Sequence, residues 1–216
     1  MFTTCMERRD FIKTTGLLGS AYALTGSSIV ANTNVTAANG AEKFWLDGPM
    51  RWAQLAFVER DPGHYDPDFW LNYFKRIHAD GALLSAGGIV AFYPTQIPLH
   101  HRSDFMGNSD TLGYLVEGCK KLGMKIMLRT DPHAVRQNVY DAHPDWIAVT
   151  VDGQKRRHWA NPDLWVTCAL GPYNFDFMSL VYQEFMESFQ PEGIFSIRLH
   201  GHDICYCEHC QRNFKA

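Results

Sequence analysis

The 216-residue sequence has little excess charge of either sign, with a formal net charge of −3, and no run of lysine and arginine longer than three residues. That leaves no electrostatic basis for a nucleic-acid partner or a polybasic membrane surface. It also lacks a strongly apolar stretch of the about 20 residues that a bilayer crossing takes, so no stable membrane anchor is expected. The first strand-to-helix junction reads "FVERDPGHYDP" and has no G-x-G-x-x-G, which removes the dinucleotide-binding fingerprint. Internal repeats and low-complexity segments are absent too. What is present is an ordinary globular composition, 46% apolar and 20% charged.

The N-terminus is different from the rest. Arg8 and Arg9 are followed by Phe11, Ile12 and Lys13, then by a weakly apolar run from Thr14 to Ala31 interrupted by Gly16, Gly19 and Gly26. Small residues around Ala31, Ala37 and Ala38 offer cleavage sites. The segment resembles a bacterial twin-arginine export signal, with the export machinery as its partner. Residues 1–38 are therefore set apart from the fold, and the mature protein is expected in the periplasm or outside the cell. Folding before export would bring the thiols first into a reducing compartment, where disulfides are disfavoured and a thiolate site can take up metal.

From Met50 the pattern alternates. Short apolar runs at 50–57, 82–93, 125–131 and 193–201 read as buried strands. Between and after them, "DPDFWLNYFKRIHADG", "SDTLGYLVEGCKKLG", "PYNFDFMSLVYQEFMESF" and "CEHCQRNFKA" carry helical spacing or helix start signals. Trp70 and Tyr73 read as outer-layer core, and Cys119 as the buried face of the second helix. An excursion after the third strand holds a short helix and a hairpin turning at Asp152-Gly153. Serial strand-helix units imply an α/β fold with a parallel sheet and right-handed crossovers. An open doubly wound sheet and a (β/α)₈ barrel compete, and the long His-, Arg-, Tyr- and Trp-rich loops after strands 2, 3 and 4 fit the active face of a barrel better. A barrel takes about 250 residues, so the expectation for 48–216 is the first four βα units of a truncated TIM-type barrel. Sheet edges left open in this way predict self-association into a homo-oligomer.

The segments "SAGGIVAFYPTQIPLHHRS", "AHPDWIAVTVDGQ", "TCALGPY" and "GHDICYCEHCQRNF" together resemble the N-terminal barrel domain of a group of bacterial glycoside hydrolases. That group is distantly similar to α-L-fucosidases and to β-galactosidases that carry a trimerisation domain. The resemblance implies a (β/α)₈ barrel, a carbohydrate substrate and hydrolysis of glycosidic bonds. The sequence departs from it where the fourth strand ends in Ile197-Arg198-Leu199-His200 in place of Asp, Glu or Asn. A non-catalytic carbohydrate-binding protein, or an inactive fragment, is the alternative.

Cys205, Cys207 and Cys210 form C-x-C-x-x-C on a tight turn opening a helix. A closed structural zinc site needs four ligands in a tetrahedron, and Cys168, in a loop on the same strand-end side, is the first candidate for the fourth. His202 and His209 are alternates, and reduced thiols without metal or a Cys205–Cys210 disulfide are the other readings. The zinc-bearing β-galactosidases have a similar cluster completed by one upstream cysteine. Glycoside hydrolysis needs two carboxyl groups. Those near strand ends are Glu59, Asp61, Asp131 and Asp203, of which Asp131 and Asp203 are the catalytic candidates. In "RTDPH", Arg129, Asp131 and His133 would point toward a barrel mouth, although Arg129 and Asp131 also suit a rim ion pair and Asp203 suits a helix cap. Arg198 and His200 alternate and would share one strand face as substrate-binding residues, or as a satisfied polar layer. His100, His101, Tyr93, His158 and Trp159 belong to the loops that would surround a sugar, with Tyr93 and Trp159 available for stacking.

Overall fold

A computed structural model describes residues 51–199 and 203–215; the export-signal reading of 1–38 lies outside these. Four parallel strands form the main sheet in the order β1-β2-β3-β6: β1 is Trp52–Leu55, β2 Gly81–Gly88, β3 Lys125–Asp131 and β6 Gly193–Ser196. Helices α1 (Pro67–Arg76) and α2 (Thr111–Lys121) connect the first three strands, α4 (Met178–Phe189) leads back into β6, and α5 (Glu208–Lys215) follows it. The architecture is thus a run of four βα units, as the alternation implied, with β1 and β6 at the sheet edges among the described residues.

Local chemistry explains the helix boundaries. Asp66 caps α1 by accepting from the backbone N–H groups of Asp68 and Phe69, with Pro67 at the first helical position. Asp110 caps α2 by accepting from Gly113 N at 2.8 Å. β2 is buried along almost its whole length, as a central parallel strand should be. In β3 burial alternates: Ile126, Leu128 and Thr130 are buried, while Arg129 and Asp131 stand on the partly open face. The buried layer joins Leu84, Ile126 and Leu128 of the sheet to Phe74, Leu112, Leu115, Val181 and Phe185 of the helices. Burial pushes the Cys119 thiol up to about 12, as expected of a packing thiol on α2.

The excursion after β3 forms a second, two-stranded antiparallel ribbon. β4 (Ala134–Val135) pairs with β5 (Trp165–Val166), with α3 (Gln137–Ala142) and a hairpin between them. Three strands are shorter than the sequence suggested. β1 ends at Leu55. β2 stops at Gly88, whose φ of +110° turns the chain, so the apolar run to Tyr93 continues as irregular backbone. β6 stops at Ser196, and Arg198 has a φ of +51°. A left-handed residue breaks the two-residue alternation, so Arg198 is not a strand residue sharing a face with position 200. His200 itself lies outside the described residues.

Candidate functional site

The C-terminal ends of β1, β2 and β3 open into a cleft of about 980 Å³, lined among others by Glu59, Ser85, His101, Arg129, Asp131, Arg136 and Asp163. This is the end of a parallel β/α sheet at which active sites are built. Between the lining residues Gly87 and Ile89, Gly88 donates its N–H to His100 Nε2 at 3.3 Å, while Ile89 N donates to the Asp131 carbonyl at 3.1 Å. A Cβ on Gly88 would lie 2.4 Å from that same carbonyl oxygen, so only glycine allows this approach.

Three carboxylates line the cleft, Glu59, Asp131 and Asp163, and the first two are held by basic side chains. Asp131, the last residue of β3, accepts from His133 Nδ1 and lies 3.7 Å from Arg129 Nη2. Arg129 in turn donates to Ser85 Oγ at 3.2 Å, and Ser85 Oγ also accepts from Phe57 N at 3.1 Å. Glu59, four residues beyond β1, pairs with His101 Nε2 at 2.7 Å and with the Arg136 guanidinium. Its loop is tied down by Ser103 Oγ, which donates to the Glu59 carbonyl at 2.6 Å. Of the expected residues, Glu59, His101, Arg129 and Asp131 line this cleft. His133 is buried behind it, its ring against that of Trp159 at 5.2 Å and its Nε2 3.0 Å from His158 Nε2. Trp159 is half exposed and stacks on His158.

Tyr93 requires a correction. It is 2% exposed, packs edge-on against Phe185 and Phe189, and donates its hydroxyl proton to Glu184. Burial and the Glu184 carboxylate raise its pKa. It is a core residue fastening the 93–100 loop to α4, not a sugar platform. His100 is buried beside it and accepts from Gly88 N at 3.3 Å. Asp203 also departs from its expected place: it lines a separate cavity next to the cysteines, has a φ of +71°, and offers its carbonyl to Arg156. Asp131 and Asp203 therefore do not share a cleft; the carboxylates that line it with Asp131 are Glu59, clamped by His101 and Arg136, and Asp163. Arg136 was not visible in the sequence as a site residue, because nothing local marks an arginine before a six-residue helix as the partner of a glutamate 77 positions earlier.

The four cysteines do converge. Cys168, Cys205, Cys207 and Cys210 place all their sulfurs within 4.8 Å of one another. Cys168 Sγ lies 3.3 Å from Cys207 Sγ and 3.4 Å from Cys210 Sγ. A tetrahedron with 2.3 Å metal–sulfur arms puts its sulfurs about 3.8 Å apart, so the cluster is close to the required size. Val149 N donates to Cys205 Sγ at 3.3 Å, the type of contact that stabilises a thiolate. The hydrogen bond between Cys168 and Cys205 pushes Cys168 up and pulls Cys205 down to about 4, while burial pushes Cys210 up to about 12.

The sequence matches the family described as hypothetical glycosyl hydrolase 6 over residues 67–197. The chain belongs to that family. The match runs from the start of α1 to just past β6 and so includes Asp131 and the Arg136 clamp. Among solved structures, the chain is similar to the α-L-fucosidase isoenzyme 2 from Paenibacillus thiaminolyticus, with 20% identity and a TM-score of 0.61, over 78% of this chain and 26% of that one. It is also similar to a hypothetical protein from Ruminiclostridium thermocellum, with 10% identity and a TM-score of 0.53, over 71% of this chain and 78% of that one. At these identities the likeness bears on the fold, which is of the (β/α)₈ type. The chain spans about a quarter of the length of the fucosidase (26%). No curated protein matches the chain.

Proposed function

We propose that this family member acts on carbohydrate and contributes to hydrolysis of a glycosidic bond, with Asp131 as the working carboxylate. The observation that carries the reading is the presentation of Asp131 at the end of β3, in one cleft with a second, independently clamped carboxylate, Glu59. Two carboxyl groups flanking a cleft are what such hydrolysis requires, one to protonate the leaving oxygen and one to act as nucleophile or base. Arg129 and Ser85 are set to orient Asp131 and to donate to sugar hydroxyls, and the exposed face of Trp159 offers a stacking surface near the rim. The four cysteine sulfurs are proposed to hold one structural zinc ion, which would link the 147–168 excursion to residues 205–210 without taking part in the reaction. The Arg8-Arg9 leader supports export by the twin-arginine route to the periplasm or beyond.

The test is turnover of a panel of 4-nitrophenyl α- and β-glycosides, fucoside and galactoside included, by the mature chain and by Asp131→Asn. Hydrolysis of at least one glycoside, falling at least a thousandfold in Asp131→Asn, is the expected result. Sugar binding without turnover would instead favour a carbohydrate-binding protein, a reading with one observation behind it: no carboxylate follows β6 before Asp203.

A further inference from the structure

Behind Asp131, two imidazoles form a chain whose proton positions can be deduced. His158 Nδ1 accepts from two backbone N–H groups, Ala160 N at 3.1 Å and Asn161 N at 3.0 Å. A nitrogen accepting two hydrogen bonds carries no proton, so the proton of His158 sits on Nε2. That Nε2 lies 3.0 Å from His133 Nε2, which must then be the bare acceptor. His133 therefore carries its proton on Nδ1, where it donates to Asp131 Oδ1. The two rings hold opposite tautomers, and neither can become an imidazolium without losing one of these bonds. A protonated His133 would turn a second N–H toward the N–H of His158. A protonated His158 would turn one toward the amides of Ala160 and Asn161.

We propose that His158 is a positioning residue for Asp131, acting through His133. The backbone turn at 158–161 selects the His158 tautomer, His158 selects the His133 tautomer, and His133 binds one carboxylate oxygen of Asp131. The hydrogen bond to Asp131 then comes from a neutral ring, which orients the carboxylate without cancelling its charge. The same oxygen cannot rotate into the cleft, so Oδ2, on the Arg129 side, is the one presented. Trp159 covers both imidazoles, with ring centroids 5.2 Å from His133 and 3.9 Å from His158, and shields the chain of hydrogen bonds from water. His133 is 2% exposed, so the ring has no room to settle in another orientation.

The role assigned to His158 rests on the reading of Asp131 as the working carboxylate, but its test does not depend on turnover. In the ¹⁵N-labelled chain at neutral pH, two-bond nitrogen–proton spectra assign the protonated nitrogen of each ring. The expected result is a proton on Nδ1 of His133 and on Nε2 of His158. The same tautomer in both rings, or the reverse pair, overturns the proposal. His158→Ala should speed exchange of the His133 Nδ1 proton with water at least tenfold, and His158→Gln, whose amide N–H reaches the same acceptor, should restore it. An unchanged exchange rate in His158→Ala, with the backbone signals of β1–β3 intact, also overturns it. Should those signals be lost in His158→Ala, the wild-type tautomers and His158→Gln decide alone. A chain that shows both tautomers yet hydrolyses no glycoside refutes the hydrolase reading and keeps the relay.

Discussion

Acidification from pH 7 to pH 5 should remove about 2 kcal/mol of stability through His100 alone. Its imidazole is 5% exposed, accepts from Gly88 N at 3.3 Å and lies 3.4 Å from the Tyr93 hydroxyl. Tyr93 gives its own proton to Glu184, so its oxygen accepts from His100 Nδ1 and the neutral ring is satisfied at both nitrogens. Burial holds the His100 pKa down at about 4 against an ordinary 6.5, with the charge of Glu184 offsetting only part of that. Between these values the unfolded chain binds a proton that the folded chain does not, so stability falls as pH drops through this window. The loss is about 2 kcal/mol at pH 5 and about 3 kcal/mol below pH 4. Urea unfolding at pH 7, 6 and 5, with wild type and His100→Gln compared, isolates the contribution, because carboxylates titrate alike in both. The wild type should lose stability faster than the variant. Curves that stay parallel to within about 0.5 kcal/mol would refute the argument that burial keeps this ring neutral.

Three further outcomes are expected. Gly88→Ala should destabilise by about 2–4 kcal/mol, from the positive φ and the collision with the Asp131 carbonyl, with faster amide exchange at Ile89 as the local sign. The purified chain should carry close to one zinc per molecule, measured by elemental analysis, and Cys207→Ser should lose it. Because the Cys168 and Cys210 thiols are pushed up and must release protons to bind metal, chelator competition should show affinity weakening roughly tenfold or more from pH 8 to pH 6.

Much of the fold was legible because it rests on local signals. "KIMLRTD" read as a strand ending in a carboxylate suited to catalysis or to a rim ion pair with Arg129, and in the structure it is β3, with Ile126 and Leu128 buried and Asp131 at the cleft beside Arg129. The cysteine cluster was legible because C-x-C-x-x-C is a local pattern and Cys168 is the thiol in the preceding loop. Strand ends were less so. "ALLSAGGIVAFY" is apolar throughout, and composition does not reveal that Gly88 turns the chain, leaving Tyr93 in the core. The same limit applied to β6, where Arg198 adopts a left-handed conformation that no local pattern announces. The Glu59–Arg136 and His133–His158 pairings were hidden for another reason: each joins segments that only the folded sheet brings together.

The convergence of Cys168 with Cys205–Cys210 encloses the helical turn Tyr173–Phe177, α4 and β6 in one loop, its ends 42 residues apart. Closing a loop of that span deprives the unfolded chain of about 4 kcal/mol of conformational freedom, by the relation used for disulfides. β6 has a single strand neighbour among the described residues, so packing alone holds it weakly. A metal in the thiolate cluster would act on that strand through the chain's entropy, fastening the last unit of the sheet without adding one contact to its core.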